Sequence, residues 1–330
     1  MSAPICLIVN PAAGGGKAGR VLADVLAALD GHGLRVRGEL TRDLDHAREL
    51  ARSAALAGET VVCLSGDGLV GAVADVLREI PDSLLGVLPG GRGNDLARVL
   101  GIPADPLEAC AIVAGGFSRK LDLGEVGPRA GAPLGAPGQA FVGIASVGFD
   151  SEANRFANEA PAWLGGLVYA YGALRAILSW RPAHFEIELD PPGERHRFLA
   201  YTVGACNSKT YGGGMRAAPD ALLDDGLLDV VVLESVSKLA FLTKILPKVF
   251  SGAHVREPSV RVFRARELSV AADRPFTMYA DGDPIGDLPL RVRALGGAVR
   301  VLVPTQGVGD DAFAGTIPAD TDTSADTAER

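Results

Sequence analysis

Among the aspartates of this sequence that sit beside glycines, four could do chemistry: Asp67 in Ser65-Gly66-Asp67-Gly68, Asp225 in Asp224-Asp225-Gly226, and Asp281 and Asp283 on either side of Gly282. A glycine turn lets backbone approach a ligand closely, because no Cβ intervenes. Where the turn opens a helix, free N–H groups favour phosphate. An acid inside such a turn would repel phosphate. Asp67 therefore makes sense as a metal holder, or as the acceptor of a proton from a hydroxyl about to be phosphorylated. Of Asp281 and Asp283, one could serve as general base while the other binds Mg²⁺. The same Asp-Gly pair is also a strong signal for a type I′ hairpin. Asp225 could bind a hard cation beside exposed carbonyls, or cap local N–H groups in a turn, and spacing alone favours the turn.

These acids need elements to hold them. Apolar runs over 5–9, 34–40, 60–64 and 84–88 predict strands, with helical patterns over 21–29, 44–56 and 69–80 between them. That alternation predicts an open parallel sheet with helices on both faces. Ligands on such sheets sit at the carboxyl ends of the strands. Glycine turns fall at those ends: Asn10-Pro11-Ala12-Ala13-Gly14-Gly15-Gly16-Lys17, Ser65 to Gly68, and Leu88-Pro89-Gly90-Gly91-Arg92-Gly93-Asn94-Asp95. The first is not a P-loop, since the spacing fails and Lys17 is followed by Ala18.

After a Gly/Pro/Ala-rich stretch at 127–138 the pattern changes. Residues 184–190 alternate, with Phe185, Ile187 and Leu189 apolar and His184, Glu186, Glu188 and Asp190 polar, as a half-buried strand requires. Further strand-like runs at 198–205, 227–233, 267–271 and 276–280 predict a mainly antiparallel second domain. Helical insertions are expected at 162–178 and 238–250, and 307–330 has the composition of a disordered tail.

The chain has 330 residues, enough for two cores, and a formal net charge of −8, which argues against general nucleic-acid binding. Cys6, Cys63, Cys110 and Cys206 show no C-x-x-C spacing and read as core thiols. No secretory signal is visible, and the apolar stretch 163–180 is marginal as a membrane span, so a cytoplasmic protein is expected.

Taken in order, Asn10-Pro11, Ser65-Gly66-Asp67-Gly68, Gly91-Arg92-Gly93-Asn94-Asp95, Gly212-Gly213-Gly214-Met215 with Pro219-Asp220 and Asp224-Asp225-Gly226, and Asp281-Gly282 resemble the diacylglycerol kinase catalytic-domain superfamily. That superfamily includes bacterial lipid kinases and sphingosine kinases and, more distantly, NAD kinases. The resemblance implies an NAD-kinase-like α/β nucleotide-binding domain over 1–125, completed by about 290–306. It also implies a β-rich lipid-substrate domain over 126–289, with the active site in the cleft between them. It implies ATP and Mg²⁺ as cofactors and a membrane lipid, most simply diacylglycerol, as acceptor at the inner face of the membrane. A homodimer is compatible with it. Other acceptors, namely a sphingoid base or a soluble molecule such as NAD, stay open, as does a non-catalytic regulator.

The resemblance also assigns roles. Asn10, Pro11 and Gly14, Gly15 and Gly16 would approach ATP, as would Thr41. Ser65, Gly66, Asp67 and Gly68 would lie against the phosphates with Gly91, Arg92, Gly93, Asn94 and Asp283. Asp225, with the carbonyls of Leu222 and Leu227, matches a structural Mg²⁺ site. Asp281 matches the base of bacterial lipid kinases, and sphingosine kinases give that role to the position of Asp67. The assignment preferred is Asp281 as base and Asp67 as organiser of Mg²⁺–ATP. Three positions depart from the family pattern: Leu69 stands for a threonine, Arg92 for a threonine and Asp283 for a glutamate.

Overall fold

The computed structural model describes residues 3–128, 138–160, 171–172, 175–177, 180–305 and 310–314. The first part is an α/β layer. Strands β1 (Ile5–Val9), β2 (Val36–Leu40), β3 (Thr60–Ser65) and β4 (Leu84–Pro89) run parallel in the order β4-β3-β1-β2. Between and after them come α1 (Ala13–Gly31), α2 (Leu44–Leu56), α3 (Asp67–Leu77), α4 (Asp95–Val99) and α5 (Pro106–Gly115). β1 and β3 are buried along nearly their whole length, because helices cover both faces. Their apolar runs are continuous rather than alternating for that reason.

The second part is β-rich and mainly antiparallel. It comprises β5 (Ser118–Pro128), β6 (Gln139–Phe141), β7 (Ile144–Gly148), α6 (Phe149–Asn158), β8 (Ala183–Leu189), β9 (Glu194–Cys206) and β10 (Leu228–Glu234). The helical segment α7 follows, made of Lys238–Ala240, the π-helical Phe241–Ile245 and Leu246–Val249. Then come β11 (Val260–Ala265), β12 (Glu267–Ala272), β13 (Thr277–Ala280), β14 (Asp283–Asp287) and β15 (Leu290–Leu302). The alternation read in 184–190 is real: Phe185, Ile187 and Leu189 are buried, and Phe185 and Ile187 pair across β8 and β12 with Ala272 and Val270.

One strand joins the two parts. β15 pairs antiparallel with β12 and β5, and its last residues run parallel to β4 through Arg300–Leu84 and Val301–Leu85. The result is a single hydrogen-bonded network of 15 strands. One core fills the α/β part, and two more lie in the β-rich part.

The tail expected to be disordered from 307 contains a packed stretch. Ala312 and Phe313 are buried, Phe313 lies 3.8 Å beneath the Arg119 guanidinium, and the Leu223 N–H donates to the Ala312 carbonyl. A lone phenylalanine in a polar segment is enough to anchor it, since burying such a side chain contributes about 2 kcal/mol. The remaining tail residues 307–309 and 315–330 lie outside the described residues, as does most of the helical insertion expected at 162–178. No helix among the described residues is long and apolar enough to cross a membrane.

Candidate active site

The glycine turns after β1, β3 and β4 meet at one edge of the parallel sheet, and they meet tightly. A Cβ on Gly91 would lie 2.4 Å from the Cα of Gly66, and one on Gly14 would lie 2.5 Å from the Gly90 carbonyl oxygen. Gly14, Gly15 and Gly16 all take left-handed conformations, with φ of 60°, 68° and 85°. Consecutive left-handed residues are open essentially only to glycine. Two asparagines shape the turns with their own amides. Asn10 accepts from the Ala12 N–H, and Asn94 accepts from Gly91 N–H at 2.8 Å while donating to the Gly91 carbonyl at 3.1 Å. Ser65 is buried and its carbonyl accepts from the Gly90 N–H. Thr41 is buried at the end of β2, beside Val9. Pro11 and Arg92 are exposed. Leu69, the departure from threonine, points into the core and is 3% exposed, so this position offers no polar contact.

Asp67 opens α3, and its carboxylate accepts from the backbone N–H groups of Asp95 (3.0 Å) and Leu96 (3.1 Å). It thus caps the start of α4, which explains an acid in a glycine turn without invoking a ligand. Asp95 continues the chain of contacts. It accepts from the Gly213 N–H at 2.8 Å, pairs with Arg98 at 2.6 Å, and burial pushes its carboxyl up. The Gly212–Gly214 loop of the β-rich part is tied to the α/β part in this way.

Asp281 and Gly282 have φ of 49° and 96°, and Ala280 pairs with Asp283, so they form a type I′ hairpin between β13 and β14. The hairpin reading is correct about this turn. The turn aims the Asp281 carboxylate at the backbone N–H groups of Val142 (2.8 Å), Gly143 (2.9 Å) and Ile144 (3.2 Å). Burial, together with the negative charge of Asp67 and against the three N–H donors, pushes this carboxyl up to about 7. Asp283 does not share that setting. It lies against Gly68 at the start of α3, burial raises its carboxyl, and Arg48 opposes the rise.

Three residues that sequence reasoning passed over build this seat. A Cβ on Gly143 would lie 2.7 Å from one Asp281 oxygen, and one on Gly71 would lie 3.0 Å from the other. Asn207 is fully buried: its Nδ2 donates to the Val142 and Asp122 carbonyls, and its N–H donates to the Gly143 carbonyl. The signal for Gly71 was available, since glycine inside a helix costs roughly 1 kcal/mol against alanine and calls for a reason. Nothing local marked Gly143 or Asn207, whose partners are distant in sequence.

Asp67, Asp95, Asp281, Ser146 and Tyr279 line a small polar cavity of about 80 Å³. Ile144, Tyr211 and Gly212 line it too, and they also line a second cavity of about 500 Å³. This larger cavity is apolar, walled by side chains such as Phe149, Leu233, Phe241 and Ile245, with Arg92 at its edge. One acid faces into it. Asp150 accepts from the Thr202 hydroxyl at 3.1 Å, and burial pushes its carboxyl up to about 6 against hydrogen bonds from Thr202 and Tyr211. The helical insertion expected at 162–178 lies mostly outside the described residues, and its described residues, Tyr171, Gly172 and Arg175 to Ile177, do not line this cavity. The described wall includes α7, β9 and β10.

The 222–229 turn has different contacts. Asp225 accepts from the Leu227 N–H at 2.9 Å and from the Arg264 guanidinium, which also reaches Asp229. Asp224 pairs with Arg119, and Asp122 accepts from Gly226 and Gly297. Among the described residues no cluster of three or more acidic, histidine or cysteine side chains could hold a metal ion. The Leu227 N–H contact is the turn role; a cation at Leu222, Asp225 and Leu227 would compete with Arg264 for the carboxylate.

Comparison with known proteins follows the same division. Residues 4–126 match the diacylglycerol kinase catalytic domain, and residues 143–303 match the YegS C-terminal NAD kinase beta sandwich-like domain. The chain is 34% identical over 308 residues to a diacylglycerol kinase of Mycobacterium tuberculosis (strain CDC 1551 / Oshkosh), covering 92% of this chain and 96% of that one. Among solved structures it is similar to a diacylglycerol kinase from Bacillus anthracis str. Sterne, with a TM-score of 0.70 at 20% identity over 91% of this chain and 97% of that one. The yeast NADH kinase complexed with NADH shares the fold at a TM-score of 0.50 and 11% identity, over 94% of this chain and 85% of that one.

Proposed function

We propose that this chain, which belongs to the diacylglycerol kinase family and is a lipid kinase, transfers the γ-phosphoryl group of ATP to the free hydroxyl of diacylglycerol. The observation that carries the reading is the shared wall of Ile144, Tyr211 and Gly212 between the acid-lined cavity and the apolar one. A hydroxyl placed at Asp281 has apolar space of about 500 Å³ next to it for its chains, within the range of ordinary ligand sites. A soluble acceptor such as NAD has no use for that space.

Bound ATP with Mg²⁺ would supply the γ-phosphoryl group and the cation that offsets its charge. The glycine turns at Asn10 to Gly16, Ser65 to Gly68 and Gly91 to Asn94 crowd one sheet edge with backbone and fit a phosphate chain there. Asp281 takes the proton of the acceptor hydroxyl as its oxygen attacks phosphorus, and the bond to the leaving ADP oxygen breaks. Its three N–H donors fix the carboxylate in place, and its raised pKa keeps it basic enough to act near neutral pH. Asp67 acts on both sides. It holds the N–H groups of α4 and so fixes the 91–95 turn, and its charge keeps Asp281 a stronger base. Arg92, in that turn and at the cavity edge, is placed to pair with the phosphoryl group in transit. Asp225 is kept out of the mechanism, given its pairing with Arg264.

A sphingoid base is the second reading, and Asp150 is what favours it. A carboxylate inside an apolar cavity would pair with an amine near the reacting hydroxyl. The test is transfer of labelled γ-phosphate from Mg-ATP to diacylglycerol, sphingosine, ceramide and phosphatidylglycerol in mixed micelles, with Asp150→Asn beside the wild type. Label on diacylglycerol in both proteins supports the first reading. Label on sphingosine that is lost in Asp150→Asn supports the second, and no label on any lipid overturns both.

A further inference from the structure

Segment α7 has two apolar faces, and only one of them is spent inside the protein. Phe241 and Ile245 are buried against the apolar cavity. Outside the cavity Leu239 is 70% exposed, and Phe250 and Leu242, which line the cavity at its surface side, are 60% and 39% exposed. Contiguous exposed apolar side chains on one element mark an interaction surface. The charge around them is equally uneven. Residues 236–256 carry Lys238, Lys244, Lys248 and Arg256 and no acid, within a chain whose net charge is −8. Arg216 is exposed beside the end of the segment, its N–H bonded to the Val249 carbonyl. Of these cations Lys248 is paired with Glu257, and Lys238 has a partner of its own.

The backbone explains how one short segment serves both faces. Pro247 has no N–H to give and its ring crowds the preceding turn. The helix opens there into a π-helical stretch, with the Leu246 N–H bonded to the Phe241 carbonyl. The wider turn shifts the side-chain register within the segment, so that Phe241 and Ile245 are buried on the cavity side, Leu242 and Phe250 sit where the cavity lining meets the surface, and Leu239 and Lys244 face out.

We propose that α7 is a docking element for an anionic bilayer surface, sinking Leu239, Leu242 and Phe250 between headgroups while its lysines meet the lipid phosphates. An apolar outer face ringed by lysines is the pattern of a helix lying in a membrane interface. Since the inner face of the same segment walls the cavity, a lipid leaving the bilayer at α7 enters the apolar space without crossing water. That last step rests on the lipid-kinase reading; docking itself does not.

The test is cosedimentation with vesicles in the absence of nucleotide, using phosphatidylcholine alone and phosphatidylcholine containing phosphatidylglycerol. Leu239→Glu and Lys244→Glu alter exposed positions outside the cavity wall. Each is expected to lower binding to the phosphatidylglycerol vesicles about tenfold or more, Lys244→Glu by exchanging a cation for an anion and Leu239→Glu by placing a charge on the inserted side chain. Leu56→Glu, which changes an equally exposed leucine on α2, is expected to leave binding unchanged. Turnover of a short-chain diacylglycerol dissolved as monomers should be unaffected in Leu239→Glu and Lys244→Glu. The proposal is overturned if the wild type ignores anionic vesicles, or if the α7 variants bind them as the wild type does. It is equally overturned if Leu56→Glu weakens binding as much as they do. None of these binding outcomes depends on whether any lipid is phosphorylated.

Discussion

Asp225-Gly226 and Asp281-Gly282 are the same dipeptide, and the fold gives the two acids opposite surroundings. Around Asp225 it places Arg264 and the Leu227 N–H, which take up the carboxylate. Around Asp281 it places backbone N–H groups and a second acid, and among the described residues no cation pairs with it. The first arrangement neutralises the charge and closes a turn. The second keeps a carboxylate oriented, desolvated and short of a counter-charge, which is the condition of a usable base. Local sequence specifies the turn, and the elements packed around it decide whether its acid is structural or reactive.

The largest test of that contrast is removal of each acid. Asp281→Asn should lower the transfer rate roughly 10²–10⁴-fold. Asp225→Asn should leave the rate within a few fold and cost about 1 kcal/mol of stability, measured by urea unfolding, because Arg264 is half-exposed and its pair is partly screened.

Crowding the seat without touching the acid should cost less. Gly71→Ala brings a methyl to 3.0 Å from Asp281 and should lower kcat about tenfold through misplacement of the carboxylate. The same change should not lower Tm, since alanine is the better helix former. A loss of both would mean that Gly71 serves packing alone.

The pH dependence follows from the raised carboxyl of Asp281. With Asp281 raised to about 7, kcat/KM should rise with pH and level off above about 7. Removing the neighbouring negative charge in Asp67→Asn should move that inflection to lower pH. Stability runs the other way. A carboxyl raised in the folded state favours folding fully below its unfolded value of about 4, and that contribution is lost as pH climbs to about 7. The difference in unfolding free energy between wild type and Asp281→Asn should therefore shrink over that window and stay flat above it.

Much of the frame was legible because the parallel strands announce themselves as apolar runs ended by glycine turns, and 184–190 by strict alternation. Asp67 and Asp281 were legible as acids in glycine turns. What those acids touch was not. The cap that Asp67 places on α4 spans 28 residues, and the cradle of Val142 to Ile144 lies 137 or more residues before Asp281. Much of the described cavity wall comes from α7, whose apolar residues are distributed between buried and exposed positions around a π-helical turn that hydrophobic periodicity does not reveal.

The most direct test of the central claim is single-turnover transfer of labelled γ-phosphate to diacylglycerol in mixed micelles by wild type, Asp281→Asn and Asp225→Asn side by side. The account predicts rapid labelling by the wild type and by Asp225→Asn, and a rate lower by at least about two orders of magnitude for Asp281→Asn. Labelling by Asp281→Asn at the wild-type rate, with transfer lost in Asp225→Asn instead, would contradict it.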